Sequence, residues 1–325
     1  MRAATVVGVG NAIVDVIGQV GHNFIDEFGL TKSAMTLIDE DRANALTDAM
    51  PHGEMASGGS AANTMVGVSS FGEQSAYMGK VREDEIGAAF IRDIRAAGVR
   101  YDVAPARSGT ATGRCLIQVT PDGERTMNTF LGASSMLTVD DLDEELIGRA
   151  SVLYCEGYLW DLEAAKEAIR TAMDMAHENG VTASFTLSDS FAVDRHGAEW
   201  PDLISDRVDL LFGNIDEATA ITGTETLEQV IEAVRQMTET ACITMGRDGS
   251  AIITAQDVIH VPIVDVAERV DTTGAGDLYA SGVLAGLAQG RDLETCGYMG
   301  NCAAAEIISH IGARPLVNLA EHCRY

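Results

Sequence analysis

The chain has 325 residues, enough for one large α/β domain or two smaller ones. Hydrophobic residues make up 46% and charged residues 22%, while 22 Lys+Arg against 49 Asp+Glu leave a formal net charge of −27. Such an acidic surface repels phosphate backbones and anionic lipid heads, so neither nucleic acid nor a membrane is an expected partner. An anionic ligand would need local positive help from helix ends, a metal or a few arginines.

Thr5 to Val9 reads as a strand buried on both faces. The N-terminal run from Met1 carries one positive charge and then apolar residues, but Asn11 and Asp15 interrupt it. That makes it a poor signal peptide. No apolar run is long enough to span a bilayer, so the cytoplasm is the expected location. Asn11 and Asp15 bracket apolar residues and can both face one cavity at a strand end. Gly8-Val9-Gly10 invites a dinucleotide reading, but Ile13 stands where a third small residue is needed.

Residues from about Phe24 to Met50 read as loop and short helix. In Ala56-Ser57-Gly58-Gly59-Ser60-Ala61-Ala62-Asn63 a Gly-Gly turn runs into a helix of small residues. Gly58 and Gly59 let a ligand approach the backbone, and Asn63 sits one turn in. A small-residue helix packed tightly on a sheet explains the same pattern. Arg82 to Gly98 reads as an amphipathic helix with a Gly stop. Thr110 to Thr120 alternates, Pro121-Asp122-Gly123-Glu124 turns, and Arg125 to Leu131 follows. This hairpin is expected to stand off the main sheet as a lid.

Regular alternation follows. Strands are expected at Val152–Cys155, Thr182–Leu187, Val208–Phe212 and Ala241–Met245. Helices are expected at Leu162–Asn179 and Leu227–Met237. Ala251–Ile253 and Val258–Val261 read as a second hairpin, and Leu293–His310 as a closing helix. Alternation of this kind implies a parallel sheet covered on both faces. The six cysteines form no C-x-x-C pair, so they read as small core residues in a reducing compartment.

Several reaction classes lack their motif. Gly79-Lys80 is followed by Val81 and is no phosphate-binding P-loop, and His177-Glu178 has no second His at metalloprotease spacing. Gly58-Gly59-Ser60-Ala61-Ala62 misses the last Gly of a nucleophile elbow. The chemistry concentrates in Asp271-Thr272-Thr273-Gly274-Ala275-Gly276-Asp277, between a strand-like run and a buried helix. Bare N–H groups at such a helix start make an anion site, and Asp277 beside it is fitted to act as a base. That pairing suits phosphoryl transfer to a hydroxyl. An ordinary capped helix reads the same way. Asn214 and Glu217 share the first helical turn after a strand and could hold Mg²⁺ through water, or simply cap the helix. Gly246 and Gly249 could cover nucleotide phosphates with Arg247 as the cation, or merely open a hairpin.

Taken together these segments resemble the PfkB/ribokinase family of sugar and nucleoside kinases across nearly the whole chain. The Gly58–Asn63 and Asp271–Asp277 segments match its two signatures. Asn214-Ile215-Asp216-Glu217 matches its N-x-x-E motif, and Gly246–Gly249 its G-x-x-G turn. Gly10–Val16, Thr112-Gly113, Phe212-Gly213-Asn214 and His310-Ile311-Gly312 are most similar to the adenosine-kinase branch. The resemblance implies a ribokinase-like three-layer α/β/α sandwich with a mainly parallel central sheet. It also implies a small antiparallel lid from about residues 14–45 and 104–132, all within one kinase domain over 1–325. It implies ATP- and Mg²⁺-dependent phosphorylation of a ribose-type primary hydroxyl, with adenosine leading. A sugar kinase and a catalytically silent binding protein are the alternatives.

By the same resemblance Asp15 would hold the ribose hydroxyls, with Asn11, Gly58, Gly59 and Asn63 around it and Tyr158 and Phe191 near the purine. Gly274, Ala275 and Gly276 would form the anion hole, with Asp277 as base. Asn214, Gly246, Arg247, Gly249 and Asn301 would hold the nucleotide, Asn214 and Glu217 the metal. A monovalent cation such as K⁺ would sit near Asp271 and Thr273. The expected assembly is a monomer or homodimer with a small-molecule substrate. Eukaryotic adenosine kinases carry Asn where this chain has Thr273, a residue common in sugar kinases.

Overall fold

A computed structural model describes residues 5–51 and 53–324. Met1–Ala4, on which part of the signal-peptide reading rests, lie outside the described residues. In chain order the strands are β1 (Thr5–Val9), β2 (Ile13–Gln19), β3 (Met35–Leu37), β4 (Glu54–Gly58), β5 (Gln74–Met78), β6 (Gly113–Val119) and β7 (Arg125–Phe130). They continue as β8 (Val152–Glu156), β9 (Thr182–Thr186), β10 (Leu210–Asn214), β11 (Thr240–Thr244), β12 (Ser250–Thr254) and β13 (Val258–Val261). The central sheet runs β13-β12-β11-β10-β9-β8-β1-β5, parallel from β11 to β5, with β12 and β13 added antiparallel at one edge. The expected second hairpin is this β12–β13 pair. Residues 262–270 carry no strand, so the strand-like run expected before Asp271 is irregular chain.

Helices cover both faces of this sheet, which is why its strands read as nearly continuous apolar runs. One core joins Val7, Val9, Leu153, Phe185, Leu211 and Ile243 to the helix Glu163–Glu178. The other joins Val6, Tyr154, Phe212 and Cys242 to the helices Ser60–Ser70 and Ala275–Ala288. Small residues let those two helices touch: a Cβ on Gly67 would stand 2.3 Å from Ser281 Oγ.

The second sheet, β3-β7-β6-β2-β4, stands apart as the hairpin reading expected. It is mixed: β2–β4 and β6–β7 are antiparallel, β2–β6 and β3–β7 parallel. β4 adds a strand beyond the two expected lid segments, and the short helix expected between Phe24 and Met50 lies at Glu40–Ala49. Side chains alternate across it. Leu116 and Phe130 pack outward with Ala43, Leu46 and Met50, while Cys115, Ile117, Met127 and Thr129 face inward onto a cavity.

Four cysteines, Cys115, Cys155, Cys242 and Cys296, are buried and unpaired as expected. Cys302 and Cys323 form a disulfide with Cα atoms 5.7 Å apart, which corrects the reading of six free thiols. Among the described residues no helix is long and apolar enough to cross a membrane.

Candidate active site

In open parallel sheets, ligands bind at the carboxyl ends of the strands where the strand order switches direction. Here β1 lies between β5 and β8, and the chain leaves it for the lid. A cavity of about 860 Å³ opens there, within the range of small-molecule sites. Its floor carries Asn11 after β1, Glu156 ending β8, Thr186 ending β9, Asn214 ending β10 and Thr244 ending β11. Its roof is the inner face of the lid sheet.

Gly274 begins the catalytic-looking turn. It caps the helix Ala275–Ala288 at φ 80°, ψ 1°, a left-handed conformation that favours glycine, and a Cβ there would meet Ala313 at 3.0 Å. Gly276 has no such constraint: a Cβ would find open space, and the residue borders both this cavity and a neighbouring one. Ala275 N–H donates to Thr272 O at 3.2 Å, so it is already engaged. The N–H groups of Gly276 and Asp277, in the first helical turn, have no carbonyl inside the helix to bind.

Asp277 lies on that first turn. Its Oδ1 accepts from Ser60 Oγ at 2.7 Å and its Oδ2 from Asn63 Nδ2 at 3.0 Å. Burial pushes this carboxyl above the ordinary range, opposed by those two donors and by the Arg314 charge. The Gly-Gly turn brings the donors in. Gly59, at φ 99°, lets the chain enter the helix Ser60–Ser70, and a Cβ would strike Asn11 O at 2.1 Å. The first turn of this segment faces the cavity and the rest is buried, as a packed helix requires.

Asp15, on β2, faces the same cavity. Gly58 backs it so closely that a Cβ would lie 2.6 Å from its carboxylate. Burial raises the Asp15 carboxyl to about 6, against the pull of Arg314 and Arg125. Asn11 Oδ1 accepts from Ser134 Oγ at 2.9 Å, but Asn11 Nδ2 and Asn63 Oδ1 are buried with no partner. Buried polar atoms are rarely left unpaired, so this donor and acceptor mark where a polar ligand belongs. Tyr158 lines the cavity. Phe191 does not: it is 50% exposed on the helix Ser190–His196, outside that lining.

Asn214 and Glu217 make a reciprocal capping box. Asn214 Oδ1 accepts from Glu217 N at 2.9 Å, and Glu217 Oε2 accepts from Asn214 N at 3.0 Å. Glu217 Oε1 also accepts from Asn214 Nδ2 at 2.5 Å, and burial raises this carboxyl to about 7. The cap reading is thus fulfilled, while both residues and Asp216 still border the cavity. Among the described residues no cluster of three or more His, Cys, Asp or Glu could cage a metal.

Gly246, Gly249 and Asn301 border the neighbouring cavity of about 250 Å³; Arg247 borders neither cavity. Asn301 Nδ2 donates to Val261 O at 3.0 Å and Pro262 O at 2.9 Å. Asp271 is fully engaged. Its Oδ1 accepts from Thr273 N at 3.1 Å and Thr273 Oγ1 at 2.8 Å. Its Oδ2 accepts from Gly312 N at 3.1 Å and pairs with Arg125 at 2.9 Å. Arg125, on β7, thereby ties the lid to the turn before Gly274.

Sequence reasoning missed Ser60, Arg125, Glu156 and Arg314. Glu156 is fully buried and accepts from Asn11 N at 2.6 Å and Ala61 N at 2.8 Å, with its carboxyl raised by burial to about 7. A lone carboxylate ending the apolar run Val152–Cys155 was the available signal. Ser60 was signalled by its place after two glycines. Nothing local distinguishes Arg125 or Arg314.

The sequence pattern of the pfkB family carbohydrate kinases matches residues 24–319. The chain is 27% identical to the adenosine kinase of Saccharomyces cerevisiae over 340 aligned residues, covering 95% of this chain and 96% of that one. A solved structure of a probable sugar kinase protein from Rhizobium etli superposes with a TM-score of 0.92 at 44% identity, covering 99% of this chain and 98% of that one. The structure of adenosine kinase from Sinorhizobium meliloti does so with a TM-score of 0.91 at 43% identity, covering 98% of each.

Proposed function

The chain belongs to the pfkB family of carbohydrate kinases, a ribokinase-like fold that phosphorylates alcohols with ATP, and on that premise we propose that its acceptor is the 5′-hydroxyl of adenosine. The observation that carries the nucleoside over a free sugar is the two-sided character of the large cavity. The cavity offers Asp15 from the lid strand β2 together with Asn11 Nδ2 and Asn63 Oδ1 from the floor side, an acceptor, a donor and an acceptor for neighbouring hydroxyls. Its roof offers Ile13, Leu37, Ile117, Met127 and Leu131, with Tyr158 beside them. A flat aromatic base gains by burial there, whereas a free sugar would set hydroxyls against apolar side chains. A sugar kinase is the second reading, favoured by Thr273; the Thr273 hydroxyl, however, is spent on Asp271.

In the reaction Asp277 accepts the proton of the 5′-hydroxyl as its oxygen bonds to the γ-phosphorus. The ATP β–γ bridging oxygen leaves with ADP. The free N–H groups of Gly276 and Asp277, at the helix start that Gly274 caps, face the charge that builds on the phosphoryl oxygens. Ser60 and Asn63 hold the carboxylate in position. The cavity beside Gly246, Gly249 and Asn301 suits the nucleotide. Mg²⁺ fits only through water, since both Glu217 oxygens already accept protein N–H groups. Asn214, Asp216 and Glu217 would hold the hydrated ion, which neutralises phosphate charge when bound with ATP. A monovalent cation does not fit at Asp271 as it stands, because the Arg125 guanidinium already supplies the positive charge.

Incubating the purified chain with ATP, Mg²⁺ and adenosine, with AMP and ADP separated chromatographically, tests the reading. Equimolar AMP and ADP are expected. Turnover of fructose or ribose with none of adenosine would transfer the assignment to the sugar-kinase reading.

A further inference from the structure

Three carboxylates, the buried Glu156 and the half-buried Asp15 and Asp277, line one cavity. The Asp277 charge opposes the ionisation of both Asp15 and Glu156. Some fixed positive charge has to offset them, and Arg195, the cation in the cavity lining, is paired with Asp161. Arg314 lies in the segment after the helix Leu293–Ile307, outside the cavity lining. Its Nε and Nη2 donate to Ser57 O at 3.2 and 2.5 Å, and Nη2 also donates to Ser57 Oγ at 2.9 Å. Asp93, on the helix Glu85–Ala96, completes this knot by accepting from Ser57 N at 2.7 Å and Ser57 Oγ at 2.5 Å.

Ser57 sits between the two residues of β4 that flank Asp15. Ala56 pairs with Asp15 across the β2–β4 ladder, and Gly58 is packed against the Asp15 carboxylate. Gripping Ser57 therefore fixes the wall behind Asp15. The same segment grips the catalytic turn, since Gly312 N binds Asp271 and Ala313 backs Gly274. Arg314 Nη1 is buried with no hydrogen-bond partner, so part of its charge is left to act through space.

We infer that Arg314 is a positioning residue that keeps Asp15 charged and fixed against the sugar, acting from behind β4 without touching substrate. The charges around Asp15 are consistent with this. Arg314 is the leading one favouring its ionised form, Arg125 on β7 is second, and Asp277 opposes them. The Cys115 thiol on β6 also faces it, and Glu156 and Tyr158 face Asp277. Around Arg314 itself stand Asp93, Asp15, Asp277 and Tyr77. Arg314 is the one group that favours the ionised form of both Asp15 and Asp277.

The sign follows. Asp15 has both oxygens free to accept from two hydroxyls only when ionised, so kcat/KM falls as pH drops through its value of about 6. Without the Arg314 charge that value rises, and the acid limb moves to higher pH. The test measures kcat/KM for adenosine against pH, with melting temperature, in wild type, Arg314→Met and Arg314→Lys. For Arg314→Met the acid limb is expected to move up by about one pH unit, with KM raised roughly tenfold and kcat less affected. Arg314→Lys keeps the charge but loses the two-pronged grip, so its limb stays at the wild-type position while its melting temperature falls. A wild-type limb in the Met variant, or a Lys limb displaced as far as the Met limb, overturns the inference. If the Met variant does not fold, the Lys limb alone decides, since a displaced limb with the charge retained is the contrary result. The inference rests on the nucleoside reading, which wild-type turnover of adenosine checks separately. With another ribose-type substrate the same three-way comparison applies.

Discussion

Asp277, the base we propose, shows how environment tunes one side chain. A carboxylate in water is a weak base, and burial makes this one stronger. Burial alone would leave it neutral and useless, so Ser60 and Asn63 supply donors that favour the ionised form. Asp277→Asn keeps the size and removes the basicity and the charge. Turnover is expected to fall on the order of 10²–10⁴-fold, with adenosine and ATP affinities and melting temperature little changed. An Asn variant that binds both ligands and turns over like wild type would remove Asp277 from the mechanism. The residue was legible because a Gly-Ala-Gly-Asp string opens a buried helix. Its partners were not, because Ser60 Oγ reaches it across 217 positions of chain.

The lid is where element-level reading was weakest. Its hairpin stood out because β6 and β7 alternate around the turn at Pro121–Glu124. β4 did not: Glu-Met-Ala-Ser-Gly has no β-branched residue, and it is a strand because β2 offers it a partner. The helix Glu40–Ala49 buries only Ala43 and Leu46, too few to set a helical period, although Asp39 caps it by accepting from Arg42 N at 2.8 Å. The lid meets the catalytic turn through Arg125 and Asp271, side chains only 10% and 9% exposed. A ligand under the lid adds contacts to the inner faces of β6 and β7. Amide hydrogen exchange over 113–130 is therefore expected to slow when adenosine binds. Unchanged exchange at saturating adenosine would make the sheet a fixed wall.

At the scale of the whole molecule, alternation of apolar runs with helical stretches sufficed for the layered α/β architecture, because a sheet covered on both faces leaves that mark in every strand. Pairings distant in sequence left no such mark. Cys302 and Cys323 sit in different elements, and Arg314 reaches Ser57 over 257 positions. The acidic charge has a local exception that matters: Arg125 and Arg314 converge on the site where the carboxylates gather. The central claim is that a polar group around Asp15, Asn11 and Asn63 and the apolar side chains of the lid together select a nucleoside. Covering the faces of a base removes roughly 100 Å² of apolar surface from water, worth about 2.5 kcal/mol, or on the order of 10²-fold. The most direct measurement is the ratio of kcat/KM for adenosine to that for D-ribose, which offers hydroxyls but no base. A ratio of roughly 10² or more is predicted; equal values, or a preference for the free sugar, would contradict the account.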